Sequence, residues 1–258
     1  MKLTLIRNAT LRIEYGGLIW LIDPMFAEQG ANPPISNSPN DKRNPLVPLP
    51  VSAESLSTPD VLILTHLHPD HWDAPAASAL LAARGAELPV FCQPGDQERI
   101  AESGFANIRE IEDSCIYQGV KISRTSGQHG TGEIGQAMGR VSGFVFEAEG
   151  EPKLYLAGDT IWCDDVAEAL DRHRPDVTVV HAGGARFREG DAIIMDDADV
   201  IRTTEHAPYT RIVAVHMEAI NHCLTLRADL AQTVRTQGLD KRIDIPADGE
   251  TLSFAPVR

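Results

Sequence analysis

The chain carries the sequence Thr65-His66-Leu67-His68-Pro69-Asp70-His71 directly after the apolar run Val61-Leu62-Ile63-Leu64. A short apolar run that soon meets a proline predicts a buried strand that enters a loop. Three imidazoles and one carboxylate therefore lie in one turn at the end of a strand. Side chains of these types suit borderline divalent metals such as Zn²⁺, Mn²⁺ or Fe²⁺.

The spacing in this turn favours two metal ions over one. Four ligands in one short turn do not easily close a single tetrahedron, because neighbouring side chains point in different directions. Two adjacent ions relieve that conflict, and they predict hydrolysis because a water held between them can be a hydroxide near neutral pH. A histidine-rich tract without a pattern is the alternative, and the fixed H-x-H-x-D-H spacing argues against it.

The composition is that of a folded, acidic chain. With 258 residues and 43% apolar residues, the chain can bury a substantial core, and we predict a single domain over residues 1–258. The net charge of −14 argues against nucleic acid as a partner. The sequence shows no apolar stretch long enough for a membrane span, no evident secretion signal and no C-x-x-C pair. We therefore expect a cytoplasmic protein that acts on a small molecule away from membranes, with a homo-oligomer left open.

The pattern along the chain predicts two sheets. Alternating apolar residues over 3–22, with Gly16-Gly17 as a hairpin signal, predict antiparallel strands. Residues 25–50 carry six prolines and predict an active-site lid, with partial disorder as the alternative. Residues 108–146 look strand-like around a glycine-rich turn. Strand–helix units occur in both halves, with helices expected at about 74–84, 95–103, 164–172, 196–205 and 226–236. This mixture predicts an α/β (α+β) fold with two sheets back to back and helices outside, in four layers.

Further metal ligands are expected at strand ends, where a rigid element can aim a side chain. His129 and Asp159 each follow a predicted strand; the alternatives are a solvent-exposed turn histidine and a helix N-cap. His181 and His216 each end an apolar run and are equal candidates on this reasoning. His222 stays open between a ligand, a substrate contact and an ordinary loop residue.

The order of these residues resembles the metallo-β-lactamase superfamily, whose motif is H-x-H-x-D-H followed by a distant His, an Asp and a His. The resemblance covers nearly the whole chain and implies a four-layer αββα sandwich of that type. It assigns the last ligand to His216 and places His181 beside the site, supporting a ligand or facing the substrate. It implies two groups of metal ligands: His66, His68 and His129 for one ion, and Asp70, His71 and His216 for the other, with Asp159 bridging them.

The N-terminal region resembles the ascorbate-6-phosphate lactonase-like branch of that superfamily. In this branch an early G-H-A-T-type turn and an I-D-P strand end flank the metal site. The present chain has Asn8-Ala9-Thr10 and Leu21-Ile22-Asp23-Pro24, so Asn8 replaces the histidine of that turn. Asp23 is a candidate to accept the second N–H of a ligand histidine, with a turn-initiating Asp as the alternative.

These observations predict a metallo-hydrolase with two divalent ions, Zn²⁺ or Mn²⁺, with iron as an alternative. A hydroxide that bridges the ions would open a lactone or cleave a related ester or phosphoester of a small molecule, which can be anionic because the ions reverse the local charge. Asp70 is the predicted general base and His222 a candidate proton donor. The alternatives are a phosphodiesterase and a mononuclear iron oxidoreductase. His68 argues against the iron electron-transfer type, because such members typically carry a carboxylate at that position.

Overall fold

The computed structural model describes residues 1–255, in which strands and helices alternate along the chain. The strands are β1 (Lys2–Arg7), β2 (Thr10–Tyr15), β3 (Leu18–Ile22), β4 (Val61–Leu64), β5 (Val90–Cys92), β6 (Ile108–Glu110), β7 (Ser114–Tyr117), β8 (Val120–Ser126), β9 (Ser142–Glu147), β10 (Leu154–Leu156), β11 (Val177–His181), β12 (Arg211–Val215), β13 (Ile243–Asp244) and β14 (Thr251–Ser253). The helices are α1 (Ala53–Leu56), α2 (Ala74–Arg84), α3 (Gln97–Glu102), α4 (Gly132–Met138), α5 (Asp164–His173), α6 (Asp197–His206) and α7 (Arg227–Thr236).

The strands form two seven-stranded sheets of similar design. The first has the order β14-β1-β2-β3-β4-β5-β6, antiparallel up to β3 and parallel from β3 to β6. The second has the order β13-β12-β11-β10-β9-β8-β7, antiparallel from β7 to β10 and parallel from β10 to β13. Each sheet thus joins an antiparallel meander to strand–helix units, as the sequence predicts.

The alternation of side chains along the strands sorts the core into layers. On β12, Val213 and Val215 point into the core between the sheets, whereas Ile212 and Ala214 pack against the outer helices. Helices α5, α6 and α7 cover the second sheet, and α2 and α3 cover the first. Full burial of a valine or isoleucine side chain of this kind stabilises the fold by about 1.5–3 kcal/mol. The predicted four-layer αββα architecture is confirmed.

Local signals place most elements correctly. Gly16 and Gly17 have φ of 59° and 78°, the left-handed pair that a tight hairpin between β2 and β3 requires. The five predicted helices appear within two residues of their expected ends. The strand-like interpretation of residues 108–146 is wrong at α4. There Thr131 supplies an extended N-cap residue, and good helix formers such as Gln136 and Ala137 follow the glycines.

Residues 25–50 are described throughout and form no helix or strand beyond one isolated bridge, between Asn32 and Asn44. The buried guanidinium of Arg7 ties both ends of this segment down. It donates to the carbonyl oxygens of Met25 at 2.9 Å, Ala27 at 2.9 Å and Val47 at 3.0 Å. The role of the segment as a lid stays a prediction, as does the assignment of the whole chain to one domain. Within residues 1–255, each helix is too short or too polar to cross a bilayer.

Candidate metal centre

The predicted ligands follow strands whose carboxyl ends meet at one edge of the molecule. The turn over residues 65–71 follows β4, and His129, Asp159 and His216 follow β8, β10 and β12. Strands β8, β10 and β12 run in the same direction within the second sheet, so these side chains converge. The backbone N–H of His216 donates to the carbonyl oxygen of Asn8 at 2.9 Å and joins this edge to the first sheet.

The first group of converging ligand atoms comes from His66, His68 and His129, whose ring nitrogens lie within 4.8 Å of one another. Nε2 of His66 is 3.0 Å from Nδ1 of His68. Two nitrogens bound to one tetrahedral zinc ion at ordinary distances would lie roughly 3.3 Å apart. The spacing therefore fits one ion with little rearrangement.

The second group contains His71, Asp159, His181 and His216. Nε2 of His71 lies 3.2 Å from both Nε2 of His216 and Oδ2 of Asp159. Asp70 adjoins this group, because its Oδ2 is 3.2 Å from Nε2 of His216 and 3.8 Å from Nε2 of His71. The structure thus brings together all seven side chains that the sequence predicts as ligands, with His181 within the second group and Asp70 beside it.

Asp159 lies between the two groups. Its Oδ2 is 3.5 Å from Nε2 of His129 and 3.8 Å from Nε2 of His66, both in the first group, and it also contacts His71 of the second. This is the position that a bridging carboxylate needs. The alternative role as a helix N-cap is excluded, because α5 begins at Asp164 with Cys163 as its N-cap residue.

His181 lies beside Asp159, where the resemblance predicts a side chain that supports a ligand. Its Nδ1 is 2.6 Å from Oδ1 of Asp159, and its ring centroid is 5.0 Å from that of His216. The hydrogen bond engages the oxygen of Asp159 opposite to the one that faces His129, so His181 holds the carboxylate in place. Strand β11 pairs with β12 so that His181 lies opposite Val215 and close to His216, the next residue. This pairing is what brings His181 to the site.

The outer nitrogens of the ligand histidines have partners that fix their orientation. Nδ1 of His71 faces Oδ2 of Asp23 at 2.8 Å, and Nδ1 of His129 donates to the carbonyl oxygen of Ile193 at 2.8 Å. Because each of these acceptors requires a proton on Nδ1, Nε2 is the nitrogen left to bind an ion. Asp23 therefore takes the supporting position that the sequence suggests for it.

Backbone strain is concentrated at this edge. Asn8, Asp23 and His216 adopt left-handed conformations with φ of 59°, 44° and 63°. Asn, Asp and His adopt this region more often than other non-glycine residues do, and such backbone conformations typically cluster at functional sites. The amide nitrogen of Asn8 faces the site, with Nδ2 3.1 Å from the carbonyl oxygen of Asp70 and 3.3 Å from Nε2 of His216.

The buried carboxylates of the site favour the binding of cations. Burial alone would raise the pKa of Asp159, but His71 and His216 beside it hold that pKa well below its ordinary range. Burial works to lower the pKa of His71, but the surrounding carboxylates, Asp159 foremost, raise it to about 10. Buried carboxylates thus need compensating positive charge, which divalent ions between the converging nitrogens would supply. The donor set and its charge both fit divalent metal ions.

His222, a predicted catalytic residue, lies outside both groups. It is 7% exposed, its ring packs 6.1 Å from that of Phe187, and its buried Nδ1 has no hydrogen-bond partner among residues 1–255. Burial lowers the pKa of His222 to about 4, although Asp70 acts in the opposite direction. The imidazole is consequently neutral at neutral pH.

The fold and the converging His and Asp side chains define the class as a metal-dependent hydrolase of the metallo-β-lactamase superfamily. Residues 20–217 match the family described as the beta-lactamase superfamily domain. UPF0173 protein YddR of Bacillus subtilis (strain 168) is 36% identical over 98% of this chain and 100% of its own length. The chain belongs to the UPF0173 family of metal-dependent hydrolases.

Two solved structures are similar over nearly the full length. The isothiocyanate hydrolase from Delia radicum gut bacteria is 40% identical, with a TM-score of 0.93 over 99% of this chain and 100% of that one. A possible metal-dependent hydrolase from Veillonella parvula DSM 2008 is 34% identical, with a TM-score of 0.93 over 98% and 99% of the two chains. The superfamily predicted from the sequence is thereby confirmed, whereas these relatives do not indicate the lactonase-like branch.

Proposed function

We propose that the protein uses two divalent ions, zinc or manganese, to hydrolyse a small molecule at an electrophilic carbon. The observation that carries this proposal is the position of Asp159 between His66 and His129 on one side and His71 on the other. Bound in these groups, the ions would lower the pKa of a water and stabilise the negative charge that develops during attack. One ion would be held by the first group, and the other by His71, His216 and Asp70.

Asp70 is the side chain best placed to handle the proton of the attacking water. Its Oδ2 lies beside His216, and the amide of Asn8 holds it at 3.4 Å. Burial would raise the pKa of Asp70, but His71 and His216 keep it well below the ordinary range, so the carboxylate is ionised and accepts hydrogen bonds. We assign Asp70 the role of orienting the water and accepting its proton.

His222 is proposed as the group that returns a proton to the leaving group. Because its pKa is about 4, it is neutral at neutral pH and must first accept a proton before it can donate one. Its unpartnered Nδ1 is available for that purpose. His222 would thus accept a proton and pass it on to the leaving group, and it would not be protonated beforehand.

The proposed substrate class is the isothiocyanates, on the basis of the relative that is 40% identical over 99% of this chain. The carbon of an N=C=S group is electrophilic, and addition of water to it gives a thiocarbamate. Cleavage of the C–N bond then releases an amine, which keeps both protons of the water, together with carbonyl sulfide. A lactone or a related ester is the second candidate, favoured by the similarity of Asn8-Ala9-Thr10 and Ile22-Asp23-Pro24 to the lactonase-like branch.

A hydrolysis screen tests the proposal. The metal-stripped protein and the protein reconstituted with zinc or manganese are compared on an isothiocyanate, a lactone, a thioester and a phosphodiester. We expect release of amine and carbonyl sulfide only from the reconstituted protein, its loss in His66→Ala and its retention in His206→Ala, which alters an exposed residue of α6. Oxygen uptake, or hydrolysis that survives His66→Ala, would contradict the proposal.

The expectation of a cytoplasmic protein also stays a proposal. Its support is that Cys92, Cys115, Cys163 and Cys223 are all free thiols in the structure. Free thiols are typical of a reducing compartment.

A further inference from the structure

A cavity of about 780 Å³ opens beside the metal centre, between residues 32–36 and the start of α2. This volume is within the range of small-molecule sites, about 300–1,000 Å³. Its walls are mainly apolar, with Ile35, Leu67, Trp72 and Ile220 among the lining side chains. An apolar group of modest size would therefore gain free energy by leaving water for this cavity.

Asp70 connects the cavity with the metal centre. Asp70 is one of the residues that line the cavity, and its Oδ2 lies 3.2 Å from Nε2 of His216. Leu67 makes a second connection, because it lies between the candidate ligands His66 and His68 and also lines the cavity. A molecule that reacts at the centre can thus extend its unreactive part into the cavity.

The wall formed by residues 32–36 is fastened by Asn221, which is 1% exposed. Oδ1 of Asn221 accepts the backbone N–H of Ile35 at 2.9 Å and the amide of Asn44 at 2.8 Å. Nδ2 of Asn221 donates to the carbonyl oxygen of Asn40 at 2.8 Å, and its backbone N–H donates to Oδ1 of Asn44 at 2.8 Å. A single buried side chain therefore holds Ile35 next to Ile220, with which it shares a hydrophobic cluster.

We propose that this cavity binds the apolar side group of the substrate and that Asn221 is the positioning residue for its wall. The part of the proposal that concerns turnover rests on the proposed function, whereas binding of the apolar group can be measured without any reaction. The satisfied hydrogen bonds of Asn221 mean that the wall is already in place before the substrate binds, so affinity is gained without the entropy cost of ordering it.

Steady-state kinetics test the proposal with two isothiocyanates that share the reactive group. We expect the phenyl group of benzyl isothiocyanate to occupy the cavity, which the single methyl group of methyl isothiocyanate cannot fill. In Ile35→Ala and Asn221→Ala, we expect KM for the benzyl compound to rise about five- to tenfold, because apolar contact is lost or displaced. The kcat for both compounds and KM for the methyl compound should stay near their original values. Equal losses for both compounds, or unchanged KM for the benzyl compound, would overturn the proposal.

Two matched variants serve as controls, and a thermal melt of each variant checks that it is folded. Ile116→Ala matches Ile35→Ala, because it removes the same atoms from a side chain that is 74% exposed. Asn107→Ala matches Asn221→Ala, because it removes an amide that donates a hydrogen bond to the carbonyl oxygen of Glu87 at 3.2 Å, far along the chain from this wall. Both should leave all kinetic constants unchanged. Should Asn221→Ala fail to fold, Ile35→Ala alone decides the outcome.

Binding of 4-phenylbutan-1-ol, which the centre cannot hydrolyse, separates this proposal from the proposed function. Quenching of Trp72 fluorescence reports binding. The variant Trp72→Phe should lose this quenching, which shows that the signal comes from Trp72. Saturable quenching that weakens about five- to tenfold in Ile35→Ala supports the cavity even if every isothiocyanate proves inert. Absence of quenching, together with full hydrolysis of the benzyl compound, would overturn the cavity proposal and leave the proposed function standing.

Discussion

The Nδ1 atom of His71 lies 2.8 Å from Oδ2 of Asp23, and both side chains are fully buried. The same carboxylate accepts the hydroxyl of Thr65 at 2.7 Å, and its other oxygen accepts the backbone N–H of Thr65 at 2.8 Å. Asp23 therefore fixes the ring of His71 and the start of the H-x-H-x-D-H turn together. Such outer partners raise the basicity of a ligand histidine and orient its inner nitrogen.

Substitution Asp23→Asn should weaken metal binding without unfolding the protein. Asn tolerates the left-handed backbone at this position, where φ is 44°, but it offers His71 a weaker acceptor. We expect metal affinity to fall about 10- to 100-fold. Competition with a chromophoric chelator measures the change, and Asp41→Asn on the exposed part of the 25–50 segment is the control. Unaltered affinity in Asp23→Asn would show that the hydrogen bond does not support the centre.

Substitution Asp70→Ala should reduce turnover far more than substrate binding. Loss of a group that accepts a proton during attack typically costs about 10²- to 10⁴-fold in rate. We expect kcat to fall in that range, while KM changes little, because the apolar part of the substrate still finds its cavity. Metal content, measured on the same sample, separates loss of the base from loss of an ion. Parallel changes in kcat and KM would assign Asp70 a structural role only.

Substitution Gly183→Ala should displace the backbone of His216 and so disturb the second group of ligands. A Cβ at this position would overlap the carbonyl oxygen of His216 and come within 3.1 Å of Cβ of Cys223. We expect the free energy of unfolding to drop by about 1–3 kcal/mol and one of the two ions to bind more weakly. Denaturant titration and metal analysis check the two effects. Gly150→Ala, at a left-handed position with open space around it, should lower stability without changing metal affinity.

His222 should make the protein sensitive to acid. Its pKa is about 4 in the folded protein and near 6.5 when unfolded, so the unfolded chain binds the proton first as the pH falls. Stability is unaffected by this group above pH 6.5 and decreases between about pH 6.5 and 4, by about 3 kcal/mol in total.

The variant His222→Gln cannot take up this proton, so its loss of stability over the same window should be smaller by about that amount. Denaturant titrations at several pH values measure the difference, and His206→Gln on α6 should follow the unmodified protein. An identical pH dependence for His222→Gln would contradict the assigned burial effect.

The sequence predicts much of the centre because its ligands carry local signals. His66 and its neighbours stand in a spaced motif after a strand, and His129, Asp159 and His216 each follow an apolar run. The role of His181 does not follow from the sequence alone, because its contact with Asp159 depends on how β11 lies beside β12 and β10. A local pattern can place a residue at a strand end, but it cannot say which neighbour the residue will meet.

The same limit applies to Asn221 and to α4. Asn221 fastens residues that are 177 to 186 positions away along the chain, and no periodicity links such distant positions. Helix α4 spans only Gly132–Met138 and begins among glycines, which disfavour helices, so intrinsic propensity pointed away from it. The contacts of Asn221 depend on which distant segments the fold brings together, whereas α4 forms because helix formers such as Gln136 and Ala137 follow the glycines.

The central claim is that two groups of side chains hold two ions on either side of Asp159. Anomalous diffraction from crystals grown with manganese or zinc, recorded above and below the metal edge, tests it most directly. We expect two anomalous peaks per chain, one bounded by His66, His68 and His129 and one bounded by His71, His216 and Asp70, with Asp159 reaching both. A single peak, or peaks only at surface carboxylates, would contradict it.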